Sequence, residues 1–284
     1  AQTLDVPHLL EVNSPLVLEA TAHRNLALND LAKSVERTLF SSADHVVAVS
    51  EPVKAHVLSV APNAAVTVVP NGVNMRLFSG QRFSSASVAA HGHLTIGFVG
   101  ALRPWHGAHI LVDGFAQLAQ KYPNIALRFV GDNSLMREDL EQQIRAQGIE
   151  GRVSFAGALP HEQIPSALAE LDIVTAPYPK LDNFYFSPLK VYEYMAAGRA
   201  IVASNIGQIA DILCHDANCL LVEPGNPADL SDALERLVTD SSLRARLGAQ
   251  ARLDAVHQHS WSSRMSVISE IFDTVGTRNK VGAR

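Results

Sequence analysis

Two segments of the chain set cationic side chains beside glycines at the start of helical patterns, where an anion is the natural occupant. The first reads Gly100-Ala101-Leu102-Arg103-Pro104-Trp105-His106-Gly107 and follows the apolar run Leu94–Val99. Gly100 and Gly107 let backbone come close to a ligand. The helix after Gly107 offers unbonded N–H groups and the positive end of its dipole. Arg103 and His106 add cationic or donor groups there, although a cation at a helix N-terminus is locally unfavourable. The second segment runs from Pro177 to Ser187 and enters Ser187-Pro188-Leu189-Lys190-Val191-Tyr192-Glu193-Tyr194-Met195-Ala196-Ala197-Gly198. Ser187 suits an N-cap, Pro188 the first helical position and Gly198 the stop. Leu189, Tyr192 and Met195–Ala196 make an apolar stripe, while Lys190 and Glu193 share another face. Lys190, like Arg103, carries its charge at the wrong end of a helix. Both anomalies resolve if the two loops hold one phosphate-bearing ligand, with Glu193 accepting hydroxyl hydrogen bonds. A plainer reading stands beside this one. Arg103 is then solvated, Trp105 caps the core, and Lys190–Glu193 is a surface pair worth roughly a few tenths of a kcal/mol.

Other chemistries find no residues. No Asp-x-Asp occurs, and the 12 histidines are scattered without the helical pairing beside a Glu that marks a zinc site. There is no convincing Ser–His–Asp set and no reactive cysteine. A phosphate-bearing ligand held here would be neutralised by Arg, Lys and helix dipoles, with no metal and no cofactor.

The elements that must position these loops follow from periodicity. Short apolar runs at Leu94–Val99, Ile125–Val130, Val153–Phe155, Ile173–Ala176, Ala200–Ala203 and Cys219–Val222 read as strands buried on both faces. Amphipathic stretches at His109–Lys121, Leu135–Gln147, His161–Leu171, Pro188–Ala197 and Ile209–Leu213 alternate with them. This predicts a doubly wound parallel α/β sheet, whose ligands bind beyond the carboxyl ends of the strands. Further helices are expected at Pro227–Thr239, Leu243–His257 and Trp261–Val275, the last ending before a frayed tail. Upstream, residues 16–41 and Val53–Ser59 read as helical, and His45–Val49 and Val66–Val69 as strands. Two strands are too few for an independent unit. Residues 1–75 are therefore read as the end of a larger α/β domain, 76–93 as a linker, 94–260 as a ligand-binding domain and 261–284 as a return helix and tail. A first residue of Ala1 agrees with a processed or truncated chain.

Composition bounds the rest. The 284 residues are 47% hydrophobic and carry a formal net charge of −5. That supports a real core and argues against a protein that coats nucleic acid or an anionic membrane. Two cysteines, Cys214 and Cys219, fit buried thiols in a reducing compartment better than a disulfide scaffold. No run approaches a membrane span and no signal peptide opens the chain.

Several of these segments, taken in order, resemble the retaining glycosyltransferases of family 4, or group 1, which have two Rossmann-like domains in the GT-B fold. The matching stretches are Ala43–Ser50, Val68–Val73 with Phe78, Ile96–Gly100, Val153–Gly157, Ser187–Gly198 and Leu220–Gly225. The resemblance implies transfer of a sugar from a nucleotide-sugar, UDP- or GDP-linked, to a hydroxyl of a sugar, lipid or small-molecule acceptor. It also implies a cytoplasmic enzyme, with peripheral association at the inner face of a membrane left open. Glu193 matches the second glutamate of the family's Glu–seven residues–Glu motif, which binds the donor ribose; the first falls at Tyr185, beside Phe186. The family's Gly-Arg and Lys-Gly, which grip the diphosphate, fall at Gly100-Ala101 and His106-Gly107, so Arg103 and Lys190 are expected to take over that charge. Backbone at Ala158–Leu159 would meet the base. Two rivals remain: a noncatalytic nucleotide-sugar-binding domain and a sugar-nucleotide epimerase.

Overall fold

A computed structural model describes residues 6–23, 26–79, 93–132 and 134–282. Most of the stretch read as a linker, residues 80–92, lies outside the described residues, and Met75–Phe78 before it form a 3₁₀ turn. The chain divides into two compact units.

The first unit draws on Ala1–Gly72, Asn183–Ser187 and Trp261–Arg284. Its described elements begin β1 (Leu9–Val12), α1 (Leu16–His23), α2 (Asn29–Ser42), β2 (His45–Ala48), α3 (Glu51–Val60) and β3 (Val66–Val68). The strands form a parallel sheet in the order β1-β2-β3, with Leu9 opposite His45 and Val46 opposite Val66. The region read as two-stranded thus holds three. Helix α3 starts at a Ser50 cap whose Oγ accepts the Val53 N–H at 3.4 Å, with Pro52 in its first turn and Val53 and Val57 buried.

The second unit comprises Val73–Asp182 and Pro188–Ser260. It runs β4 (Leu94–Val99), α4 (Ala108–Lys121), β5 (Ile125–Val130), α5 (Ser134–Ala146), β6 (Val153–Phe155), α6 (Ile164–Ala169) and β7 (Ile173–Ala176). It continues with α7 (Leu189–Ala196), β8 (Ala200–Ser204), α8 (Gly207–Ile212), β9 (Leu220–Val222), α9 (Pro227–Thr239) and α10 (Ser241–Gln258). The sheet is parallel throughout, in the order β6-β5-β4-β7-β8-β9. All six residues of β4 are buried, as its unbroken apolar run requires at the centre of a sheet covered on both faces. Phe98 and Phe129 sit opposite each other in register and pack with Phe115, Leu111 and Leu127.

Two helices differ from expectation. The segment His161–Leu171 is a 3₁₀ turn, His161–Gln163, followed by the short α6, because Pro165 fits only a first turn. The last helix, α11, runs Trp261–Gly282 instead of stopping at Val275. Among the described residues no helix is long and apolar enough to cross a membrane.

Strand order reverses between β4 and β7, since β4 pairs with β5 on one side and β7 on the other. The loops leaving their carboxyl ends therefore border the crevice where an open α/β sheet binds ligands. They are the two loops singled out by their charges.

Candidate active site

Backbone contact fixes these loops first. The N–H of Gly100 donates to Val130 O at 2.8 Å, and the N–H of Gly131 donates to Gly157 O at 2.8 Å. Gly107 caps α4 at φ +72°, and a Cβ there would lie 1.7 Å from Pro177 O, so the β4 and β7 loops meet backbone to backbone. Gly100, at φ +137°, leaves room on its other side for Lys190: a Cβ would stand 3.1 Å from both Cε and Nζ of that lysine.

Lys190 is the centre of the arrangement. It is only 9% exposed, and its Nζ has no hydrogen-bond partner among the described residues. The ammonium lies 4.1 Å from the Phe98 ring centroid and 5.5 Å from that of Tyr178. Ring faces attract a cation but supply no acceptor. Burial pushes the Lys190 amine down to about 7, against a smaller opposing pull from Glu193. A desolvated amine without an acceptor is costly unless something anionic completes it. The reading of Lys190 as half of a surface pair is thereby corrected. So is the apolar stripe: Leu189 is exposed, whereas Lys190 lies inward with Tyr192 and Met195.

Glu193, one turn on, is largely buried and lies 3.5 Å from His161 Nδ1. Burial raises its carboxyl above the ordinary value, with His161 and Lys190 pulling the other way. The His106 ring is half-buried, with Nδ1 2.7 Å from Ala101 O, and burial first and then Lys190 push it down to about 4. His106 is thus neutral near pH 7, so of the two readings open to it the cationic one falls away. Arg103, at the head of the 3₁₀ turn Pro104–His106, is exposed. Leu159 is half-buried just before the turn that carries His161.

Two buried tyrosines escaped the sequence reading. The Tyr194 hydroxyl accepts the Val99 N–H at 2.8 Å and faces the carbonyls of Val99 and Thr175 at 3.1 and 3.2 Å, tying α7 to the ends of β4 and β7. Tyr178, beneath Lys190, is pinned through its carbonyl by Ser204 Oγ at 2.8 Å. Tyr194 stands in an apolar helical pattern where a tyrosine reads as core, and Tyr178 lies between Pro177 and Pro179 in the loop after β7, where nothing local shows that it is buried. Tyr194→Phe leaves the Val99 N–H buried and unpaired, so a loss of about 1–3 kcal/mol is expected in urea denaturation.

The profile described as Glycosyl transferases group 1 matches residues 93–240, more than half of the chain, and that described as Glycosyltransferase Family 4 matches residues 1–77. The chain belongs to the group 1 glycosyltransferases. Phosphatidyl-myo-inositol mannosyltransferase of Mycobacterium leprae is 30% identical over 214 residues, covering 74% of this chain and 54% of that protein. D-inositol 3-phosphate glycosyltransferase of Corynebacterium urealyticum is 26% identical over 235 residues, covering 81% and 54%. The chain thus spans about half the length of these curated relatives. Anabaena HepE, solved in complex with UDP-glucose, superposes with a TM-score of 0.76 at 22% identity, covering 94% of this chain and 72% of that one. The fold is α/β with parallel sheets, of the GT-B type.

Within this glycosyltransferase chain, Gly100, Arg103, His106, Gly107, Leu159, Pro188, Leu189, Lys190 and Glu193 belong to the second unit, while Tyr185, Phe186 and Ser187 belong to the first. Ser187 is not a helix cap. Its Oγ accepts the Asn71 N–H and its carbonyl accepts from Asn71 Nδ2, both at 2.9 Å, so Pro188 takes the cap position without a side-chain hydrogen bond. Tyr185 donates its hydroxyl to Glu19 Oε1, and its carbonyl accepts from Ser50 Oγ at 2.7 Å. Among the described residues no group of three or more His, Cys, Asp or Glu could hold a metal ion.

Proposed function

We propose that this chain carries the donor-binding part of a retaining glycosyltransferase that moves a sugar from a nucleotide-sugar to an acceptor hydroxyl without a metal. The observation that carries this is the buried Lys190 ammonium at the β4/β7 crossover, without a hydrogen-bond partner among the described residues and set against Gly100 in the loop that leads to α4. One anionic group there satisfies the lysine, uses the free N–H groups of the helix and faces exposed Arg103. A diphosphate supplies such a group, and as leaving group it needs the same charges stabilised in the transition state. Glu193 then takes the ribose hydroxyls and Leu159 the edge of the base.

A uridine nucleotide is the favoured donor, since HepE was solved with UDP and UDP-glucose. The acceptor is a sugar, lipid or small-molecule alcohol, and an acceptor in a lipid bilayer would call the enzyme to a membrane face.

Calorimetric titration of the chain with UDP-, GDP- and ADP-sugars tests the reading. One class is expected to bind, with affinity unchanged in excess EDTA. Abolition of binding by EDTA would show that the diphosphate charge is met in another way. Glu193→Ala is expected to weaken both the nucleotide-sugar and its parent nucleoside, because it acts through the ribose. Lys190→Ala should spare the nucleoside. Release of nucleotide with formation of a glycosylated product by the full-length enzyme would separate transfer from binding alone.

A further inference from the structure

His106 carries information that its charge does not. Its Nδ1 lies 2.7 Å from the carbonyl oxygen of Ala101. A carbonyl only accepts, so Nδ1 holds the ring's proton and donates it there. In the neutral ring, Nε2 is then a bare lone pair, and it makes no hydrogen bond to any described residue. Packing holds the ring: Tyr178 meets it at 5.6 Å and 82°, and Phe98 lies 6.4 Å away. Lys190 Nζ sits over those same two rings. The charged and titratable groups facing His106 are Lys190 from α7, Arg103 from its own turn and Tyr178 from the β7 loop. Neither cation favours a second proton on the imidazole.

A neutral Nε2 repels phosphate oxygens, which are acceptors like itself, and needs an O–H or N–H donor. A nucleotide-sugar carries such donors at its two ends only, on the nucleoside and on the sugar, with the diphosphate between. With the diphosphate at Lys190 and the ribose at Glu193, the other end of the ligand falls to the β4 loop. We infer that His106 Nε2 accepts a hydrogen bond from a hydroxyl of the transferred sugar, which makes His106 a determinant of sugar specificity and not a diphosphate ligand. This rests on the nucleotide-sugar reading above.

The test compares His106→Phe, which keeps ring packing but has no acceptor, with His106→Ala and wild type. The probes are UDP against UDP-glucose, GDP against GDP-mannose and ADP against ADP-glucose, titrated at pH 8. In the pair that wild type binds, both variants are expected to lose about two- to tenfold in affinity for the nucleotide-sugar. Affinity for the nucleoside diphosphate should stay unchanged. Equal losses for both ligands would make His106 a diphosphate group, and no loss for either would remove it from the site; each result overturns the inference while leaving the donor reading intact. Wild type binding none of these pairs would remove the donor reading and this inference together. Nitrogen-15 spectra of the His106 ring supply a readout free of ligand: Nδ1 should be protonated and Nε2 not from pH 6 to 8. The reverse tautomer, or protonation of both nitrogens in that range, overturns the proposal.

Discussion

Lys190→Met is expected to move affinity and stability in opposite directions. A lysine that completes its hydrogen bonds with a diphosphate contributes a charge-assisted interaction of about 1.5–3 kcal/mol, so its loss weakens nucleotide-sugar binding by roughly ten- to 150-fold. The same amine, without a hydrogen-bond partner among the described residues, burdens the fold. Methionine keeps much of the stem's volume between Phe98 and Tyr178, adds favourable sulfur–aromatic contact and removes the desolvated charge. Urea denaturation should therefore show a more stable variant. A surface lysine would show neither effect. Loss of affinity together with loss of stability would mean that Lys190 supports the fold rather than the ligand.

The pH dependence follows with a definite sign. Burial holds the folded-state Lys190 at about 7, far below the 10.5 of the exposed side chain. Below about 7 both the folded and the unfolded chain carry the proton, and the cost of the buried charge is fully present. Between about 7 and 10.5 the unfolded chain binds more protons, so stability rises with pH across that window. Wild type should gain on Lys190→Met through that window, and a constant difference would dismiss the shift. Binding runs the other way. An anion favours the charged amine, so affinity should fall above about pH 7 by up to roughly tenfold per pH unit, with uptake of about one proton near pH 8. Calorimetry in buffers of different ionisation enthalpy reads that proton directly, and the variant should show none.

Much of the second unit is legible in the sequence because its strands are buried on both faces. Leu94–Val99, Ile125–Val130, Val153–Phe155 and Ile173–Ala176 fall where the apolar runs place them. The rule that ligands gather at strand ends then selects the two loops that leave β4 and β7, where the strand order reverses. Strand β1 is harder to see. It has four residues, one of them the exposed Glu11, and its partner β2 begins 36 positions beyond it at His45. The depth of Lys190 is invisible for a related reason: a lysine three residues from a glutamate reads as surface. The space it fills exists only because Gly100 lacks a Cβ and Phe98 of β4 and Tyr178 of the loop after β7 come together. His106 reads as a cation in the chain and is neutral in the fold, since charge state depends on neighbours that the local sequence does not name. Ser187 looks like a helix cap, yet its hydroxyl is claimed by Asn71, 116 residues earlier.

Gly107→Ala and Gly131→Ala should be among the most damaging single-methyl additions in the second unit. Gly107 has φ +72° and Gly131 φ +135°, conformations that an L side chain enters only under strain. The added Cβ meets backbone in both cases, Pro177 O at 1.7 Å and Gly100 O at 1.9 Å, so no side chain can rotate away to make room. Relief requires the loops to part. Strain and overpacking each cost about 1–3 kcal/mol, which gives a loss of roughly 2–6 kcal/mol for either variant. The damage also reaches the ligand. Moving Pro177 shifts the loop that carries Tyr178, and moving Gly100 shifts the backbone against which Lys190 lies, so molecules that still fold should bind nucleotide-sugar more weakly. Gly151→Ala is the control, because a Cβ there meets nothing within 4 Å, and its stability should stay within about 0.5 kcal/mol of wild type. Should Gly107→Ala unfold in urea at the same midpoint as Gly151→Ala, the two loops do not meet backbone to backbone, and the crevice they border is wider than the lysine needs.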